Sequence, residues 1–113
     1  MAVDPLQAQI APLRCETSSP SPGVVTIALH GELDLATVPD LELAFMDAEA
    51  MEGRTIVVDL RPLEFLDLAG ARSVLAADVR ARRRGRALHV LAGPRAERLF
   101  TLAGLDGLSV LDV

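Results

Sequence analysis

At 113 residues with a formal net charge of −5, the chain suits one domain, 1–113, and its acidic balance speaks against a dedicated nucleic-acid binder. Half of it is apolar but only 3% is aromatic, so the core must be aliphatic, and a single cysteine, Cys15, excludes a disulfide framework. No apolar run reaches the roughly 18 residues of a membrane span, and the N-terminus lacks a basic n-region and an apolar h-region; neither membrane insertion nor a signal peptide is expected, which makes the cytoplasm the expected address.

Residues 1–23 are mixed: Ile10 to Cys15 is a candidate short strand, and Thr17 to Gly23, rich in Ser and Pro, reads as a turn-rich connection. Val24 to His30 is short and rich in β-branched residues, a strand that Gly31 should end. Thr37 reads as the N-cap of a helix, with Pro39 in its first turn and Asp40 completing a variant of the capping box. Leu41, Ala44, Phe45, Ala48 and Met51 follow at helical spacing, and Gly53 should stop that helix. Thr55 to Leu60 is apolar on both faces, as suits a central strand covered on one face and sheltered on the other.

Pro62 breaks that strand, and Leu63 to Leu66 lead to Asp67. Leu68, Ala71, Leu75 and Val79 form one stripe of a helix that runs to about Arg84 and closes at Gly85. Ala87 to Leu91 is the next strand, Gly93-Pro94 opens a third helix through Ala103 with Leu99 and Phe100 inward, and Gly104-Leu105 has the form of a helix C-cap. Leu108 to Leu111 is a candidate last strand. The alternation predicts an α/β fold with mostly parallel pairing through right-handed crossovers. Neither an internal repeat nor a low-complexity segment stands out.

The most informative stretch is Phe65-Leu66-Asp67-Leu68-Ala69-Gly70. Asp67 is a good N-cap, since its carboxylate can accept bonds from the orphan N–H groups that open a helix. A helix start also favours negative charge, so a hydroxyl just after such an aspartate would be well placed to gain or lose a phosphate with large effect. Here those positions hold Leu68 and Ala69, which cannot be phosphorylated. Thr37, Ser73 and Thr101 are the nearest plausible substitutes in sequence.

The element order and three signatures together resemble the STAS family, the domain shared by sulfate transporters and anti-sigma factor antagonists. These are Gly31-Glu32-Leu33-Asp34 with Thr37 and Pro39, then Val57-Val58-Asp59-Leu60 leading through Phe65-Leu66-Asp67 to Gly70, and Leu99 through Leu105. The resemblance covers about residues 10 to 111. It implies a single STAS-like α/β domain, with a mixed sheet of four or five strands and three main helices mostly on one face. It also implies a non-enzymatic, protein-binding regulator of bacterial transcription. In partner switching, an antagonist of this kind binds an anti-sigma factor with a histidine-kinase-like fold, and phosphorylation of its serine releases it. That serine falls on Leu68 and the hydroxyl after it on Ala69. The scaffold is therefore expected to persist without phosphorylation at that position. The implied partner surface comprises Glu32, Asp34, Thr37, Asp67, Leu68, Ala69, Gly70 and Arg72, within Glu32 to Thr37, Phe65 to Gly70 and the exposed side of the helix from Leu68. The alternative is an accessory subunit regulating the cytoplasmic ATPase of a membrane transporter.

Each of these residues also has a plainer reading. Asp67 is an N-cap in its own right. Leu68 either touches a partner or enters the core with its stripe. Glu32 and Asp34 suit solvated loop charges. The basic run Arg80, Arg82, Arg83, Arg84 and Arg86 complements a helix C-terminus. A second apolar stripe, Leu43, Met46 and Ala50, suits docking or a homodimer. His30 and His89 are isolated, and no set of Cys, His and carboxylates has metal-ligand spacing; no cofactor, metal or catalytic residue is expected.

Overall fold

Short β-branched and leucine runs alternate with stretches of helical spacing, and each becomes a strand or helix close to where its pattern lies. The structure is a computed structural model that describes residues 12–104 and 109–111. In chain order the elements are β1 (Leu13–Ser21), β2 (Val24–Leu33), α1 (Val38–Ala50), β3 (Thr55–Asp59), β4 (Leu63–Leu66), α2 (Leu68–Arg83), β5 (Ala87–Leu91), α3 (Pro94–Leu102) and β6 (Ser109–Leu111). The sheet runs β1-β2-β3-β5-β6, and β4 pairs with β2 off that path. β1 is antiparallel to β2 and every other pair is parallel, so the sheet is mixed.

Period-two alternation sets the layers. Val25, Ile27 and Leu29 of β2, Ile56 and Val58 of β3, and Leu88 and Val90 of β5 are buried under the helices. Their alternates Thr26, Ala28, His30, Val57, Asp59 and His89 are half-buried on the opposite face. Leu41, Ala44, Phe45 and Ala48 of α1 close the core from above, as their spacing predicts, whereas Met51 lies past the helix end and is exposed. α1 and α2 run side by side in the same direction: Ser73 donates to Glu42 at 2.6 Å, and seven residues further on Arg80 donates to Glu49 at 2.8 Å.

The structure corrects the sequence reading in several places. Thr17 to Ser21 belong to β1, so the turn shrinks to Pro22-Gly23; β1 lies at the sheet edge with most of its side chains in solvent, and an exposed edge carries loop-like residues. Gly31 does not end β2. It has a φ of 101° beside a register shift, and a Cβ there would collide with the carbonyl of Pro12. Leu63 to Leu66 are a strand in their own right. The buried stripe of α2 is Gly70, Ala71, Val74, Ala77, Asp78 and Ala81, with Ser73 beside it. Of the stripe expected from leucine spacing, Ala71 alone is fully buried, because small residues let the helix lie close to its neighbours. Thr37 precedes α1 but makes no side-chain cap bond. Of the strand expected at Ile10 to Cys15, Leu13 to Cys15 belong to β1, while Ile10 and Ala11, like the C-cap contact of Leu105, lie outside the described residues.

Candidate functional site

A short repeat becomes visible once the strands are paired. Leu-Asp-Leu-Ala stands at 33–36 and again at 66–69. Leu33 ends β2, Leu66 ends β4, and the two are direct partners in the parallel register. Both copies therefore leave the sheet at the same end, side by side.

Their aspartates act alike. Asp34 Oδ1 accepts the Thr37 N–H at 3.0 Å, and Asp67 Oδ1 accepts the Gly70 N–H at 2.9 Å. The second of these is the expected cap of α2, in extended backbone at Asp67 (φ −108°, ψ 179°). The copies are also joined to each other. Asp67 N–H donates to the Leu33 carbonyl at 3.1 Å, and Leu35 N–H donates to Asp67 Oδ2 at 3.3 Å.

The residues that follow differ in what they bury. Thr37 is 3% exposed; its hydroxyl accepts the Asp34 N–H at 3.0 Å and donates to the Glu32 carbonyl at 2.9 Å. Gly70 is buried too, and a Cβ on it would stand 2.6 Å from Leu33 Cγ. These two residues shape the loops from inside. Outside lie Leu35, 74% exposed, Phe65, 50%, and Leu68, 38%. Glu32, opposite Phe65 in the register, and Arg72 are exposed, while Asp34, Asp67 and Ala69 are half-buried. The structure thus gathers the expected residues at one end of the sheet, with Thr37 and Gly70 beneath the surface. Leu35 is not among the residues the sequence reading singles out; the Leu-Asp-Leu-Ala repeat, which corrects the expectation of no internal repeat, is the signal that could have found it.

The other two candidate hydroxyls, Ser73 and Thr101, are committed elsewhere. Ser73 is 6% exposed and gives its proton to Glu42. Thr101 is exposed on α3 and donates to the Glu97 carbonyl at 3.0 Å. Much of the basic run ties helices rather than facing a ligand. Arg80 binds Glu49 and lies 5.9 Å from the centre of the Phe45 ring, Arg82 pairs with Asp78 at 3.2 Å, and Arg86 donates to the Glu49 carbonyl at 2.9 Å. Cys15 is half-buried, and burial together with the Asp40 charge pushes its thiol up to about 11, so it is a poor nucleophile.

A family model described as "Mlab, STAS domain" matches residues 17–112. No curated protein matches. Among solved structures, an anti-sigma factor antagonist from Mycobacterium paratuberculosis aligns with a TM-score of 0.76 at 26% identity, over 89% of this chain and 86% of that one. The Bacillus cell fate determinant SpoIIAA in its phosphorylated form aligns at 0.69 and 22%, over 88% of this chain and 91% of that one. The murine anion transporter Slc26a9 aligns at 0.63 and 14%, over 78% of this chain and 16% of that one. At their identities the last two carry the fold alone.

Proposed function

The chain belongs to the STAS domain family, and on that premise we propose that it is a non-enzymatic, protein-binding regulator of the anti-sigma factor antagonist kind. Its partner is an anti-sigma factor with a histidine-kinase-like fold, in the cytoplasm of a bacterium. The contact surface is the outer side of the paired loops: Glu32, Asp34, Leu35, Phe65, Leu68, Ala69 and Arg72, held in shape by Thr37, Asp67 and Gly70. The observation that carries this reading is an intact helix cap at Asp67 with Leu68 partly in solvent at the next position. Likeness to the mycobacterial antagonist supports the choice of partner.

Without a hydroxyl at 68 or 69, binding is not switched at this loop. Thr37 and Ser73 are poor substitutes, since both are buried and hydrogen-bonded. Leu68→Asp tests the surface. It adds a charge beside Asp67, as a phosphate would, at a side chain 38% exposed. Calorimetric titration against the anti-sigma factor should show affinity falling by about tenfold or more, with the melting temperature within about 4 °C of the parent. Unchanged affinity in a folded variant refutes the contact surface.

A second reading, an accessory subunit docked on a transporter ATPase, draws support from the solvent-facing side of α1. Leu43 is 61% and Met46 63% exposed there, where a helix-packing partner would find apolar area. Affinity capture from the native cell separates the two: a kinase-like anti-sigma factor supports the first, a transporter ATPase the second.

A further inference from the structure

The bonds between α1 and α2 fix which of their residues stand level. Ser73 meets Glu42 and Arg80 meets Glu49, each pair 31 positions apart. On the solvent side of α1, Pro39, Leu43, Met46 and Ala50 are exposed at spacings of four, three and four, an unbroken apolar stripe opposite the buried face. On α2, Arg72, Ala76, Val79 and Arg83 are exposed at the same spacings, again opposite the buried face. Each of these lies 33 positions after its counterpart on α1, two more than the 31 that marks level residues, and so stands about 3 Å further along the pair. Ala76 therefore has a height between Leu43 and Met46, and Val79 between Met46 and Ala50.

The two stripes also differ in charge. α1 contains no cation, and Asp40 and Asp47, both exposed, flank its stripe. The stripe of α2 begins and ends on arginine, and the carboxylate of that helix, Asp78, is buried beside Arg82. Asp40, Asp47, Arg72 and Arg83 form no ion pair among the described residues. Leu43 and Met46, 61% and 63% exposed, are large, whereas Ala76 and Val79 are smaller.

One symmetry satisfies both charge and shape. A two-fold axis parallel to the helices lays α1 of each copy over α2 of the other, in the same direction and at the same heights. Leu43 and Met46 then fit around Ala76 and Val79 of the second copy, with carboxylates of one chain facing arginines of the other. A two-fold across the helices would instead stack α1 on α1 and α2 on α2, setting like charges together.

We propose that this helical face is the interface of a homodimer with its two-fold axis along α1 and α2. Since both helices start at the paired loops, the two copies present those loops at the same end. The dimer does not rest on the antagonist reading, and Arg72 is the one residue that the two surfaces share. A second copy seated on α1 excludes the transporter ATPase from that helix.

The test uses the full chain. Sedimentation equilibrium should show a dimer that dissociates between about 1 and 100 μM. Met46→Arg sets a cation against the arginines of the second copy from an exposed position; it should weaken the dimer about tenfold or more, with the melting temperature within about 4 °C of the parent. Oxidative crosslinking in a Cys15→Ser background reads the geometry. Ala50→Cys mixed with Val79→Cys should give a disulfide-linked dimer, and either variant alone far less. A chain that stays monomeric up to about 1 mM overturns the proposal and leaves the face to another protein. Undiminished dimerisation of Met46→Arg overturns it as well, and so does crosslinking of Ala50→Cys alone that equals the mixture.

Discussion

The same four residues leave the sheet twice, and the two copies end differently. Leu33 and Leu66 are partners in the sheet, and Asp34 and Asp67 each accept the N–H three residues on. After the first copy, Thr37 is locked to Asp34 and Glu32, and α1 begins only at Val38. In the second, α2 begins already at Leu68, inside the copy, and Gly70 after it lies flat against Leu33. Local sequence therefore fixes the aspartate bond, while the residue after the tetrapeptide fixes how closely the loop packs on its twin. The hydroxyl in the first loop is a buried brace; the second has none at all.

Making the loops identical is the strongest way to break this contrast. Gly70→Thr turns the second copy into the first, but its Cβ would stand 2.6 Å from Leu33 Cγ and 3.0 Å from Leu66 Cδ1. We expect a loss of about 3 kcal/mol in urea unfolding, the overpacking range. A loss below about 1 kcal/mol would show that Leu33 and Leu66 yield freely.

Removing the brace comes next. Thr37→Val keeps the shape and leaves the Asp34 N–H and the Glu32 carbonyl without their hydroxyl partner, at a position 3% exposed. The expected loss is about 2 kcal/mol. In the same assay, Thr101→Val on exposed α3 should change stability by less than about 0.5 kcal/mol.

The aspartates should differ less. Asp67→Ala removes bonds to Gly70 and to Leu35 across the pair, while Asp34→Ala loses its carboxylate bond to Thr37 N–H, which still has the Asp34 carbonyl at 3.1 Å. We expect about 1 kcal/mol for Asp67→Ala and less for Asp34→Ala. The reverse order would mean that the first loop holds the second. Smallest of all, Leu35→Ser and Leu68→Ser should each stay within about 1 kcal/mol, since both side chains are substantially exposed. A larger loss at Leu68 would place it in the core.

Where a segment is buried on at least one face, its state was legible in the sequence. Thr55–Asp59 and Ala87–Leu91 alternate under the helices and were read almost to the residue, and the three helices were read within a residue or two of their starts. Edge position hid β1, because Thr17 to Ser21 look out to water and take turn residues. Brevity hid β4, four residues without alternation. The inward face of α2 was misread because leucines drew attention, while close packing selected Gly70, Ala71, Ala77 and Ala81. For the site, the Asp67 cap followed from residue type alone. Its union with the Asp34 loop did not, because Leu33 and Leu66 meet only through tertiary pairing. The match in height between the stripes of α1 and α2 had no local signal, since the two helices meet only through tertiary packing.

Exposure at Leu68 has an evolutionary consequence. Thr37 and Gly70 are held by neighbours that permit few replacements, so drift at either is filtered by folding itself. Leu68, 38% exposed between a capping aspartate and a packing glycine, is filtered far less by folding. Serine is a single nucleotide change from some leucine codons. A hydroxyl is thus within reach of position 68 at small cost to the fold. Under the proposed reading, a change there can alter the contact surface without first passing through an unstable fold.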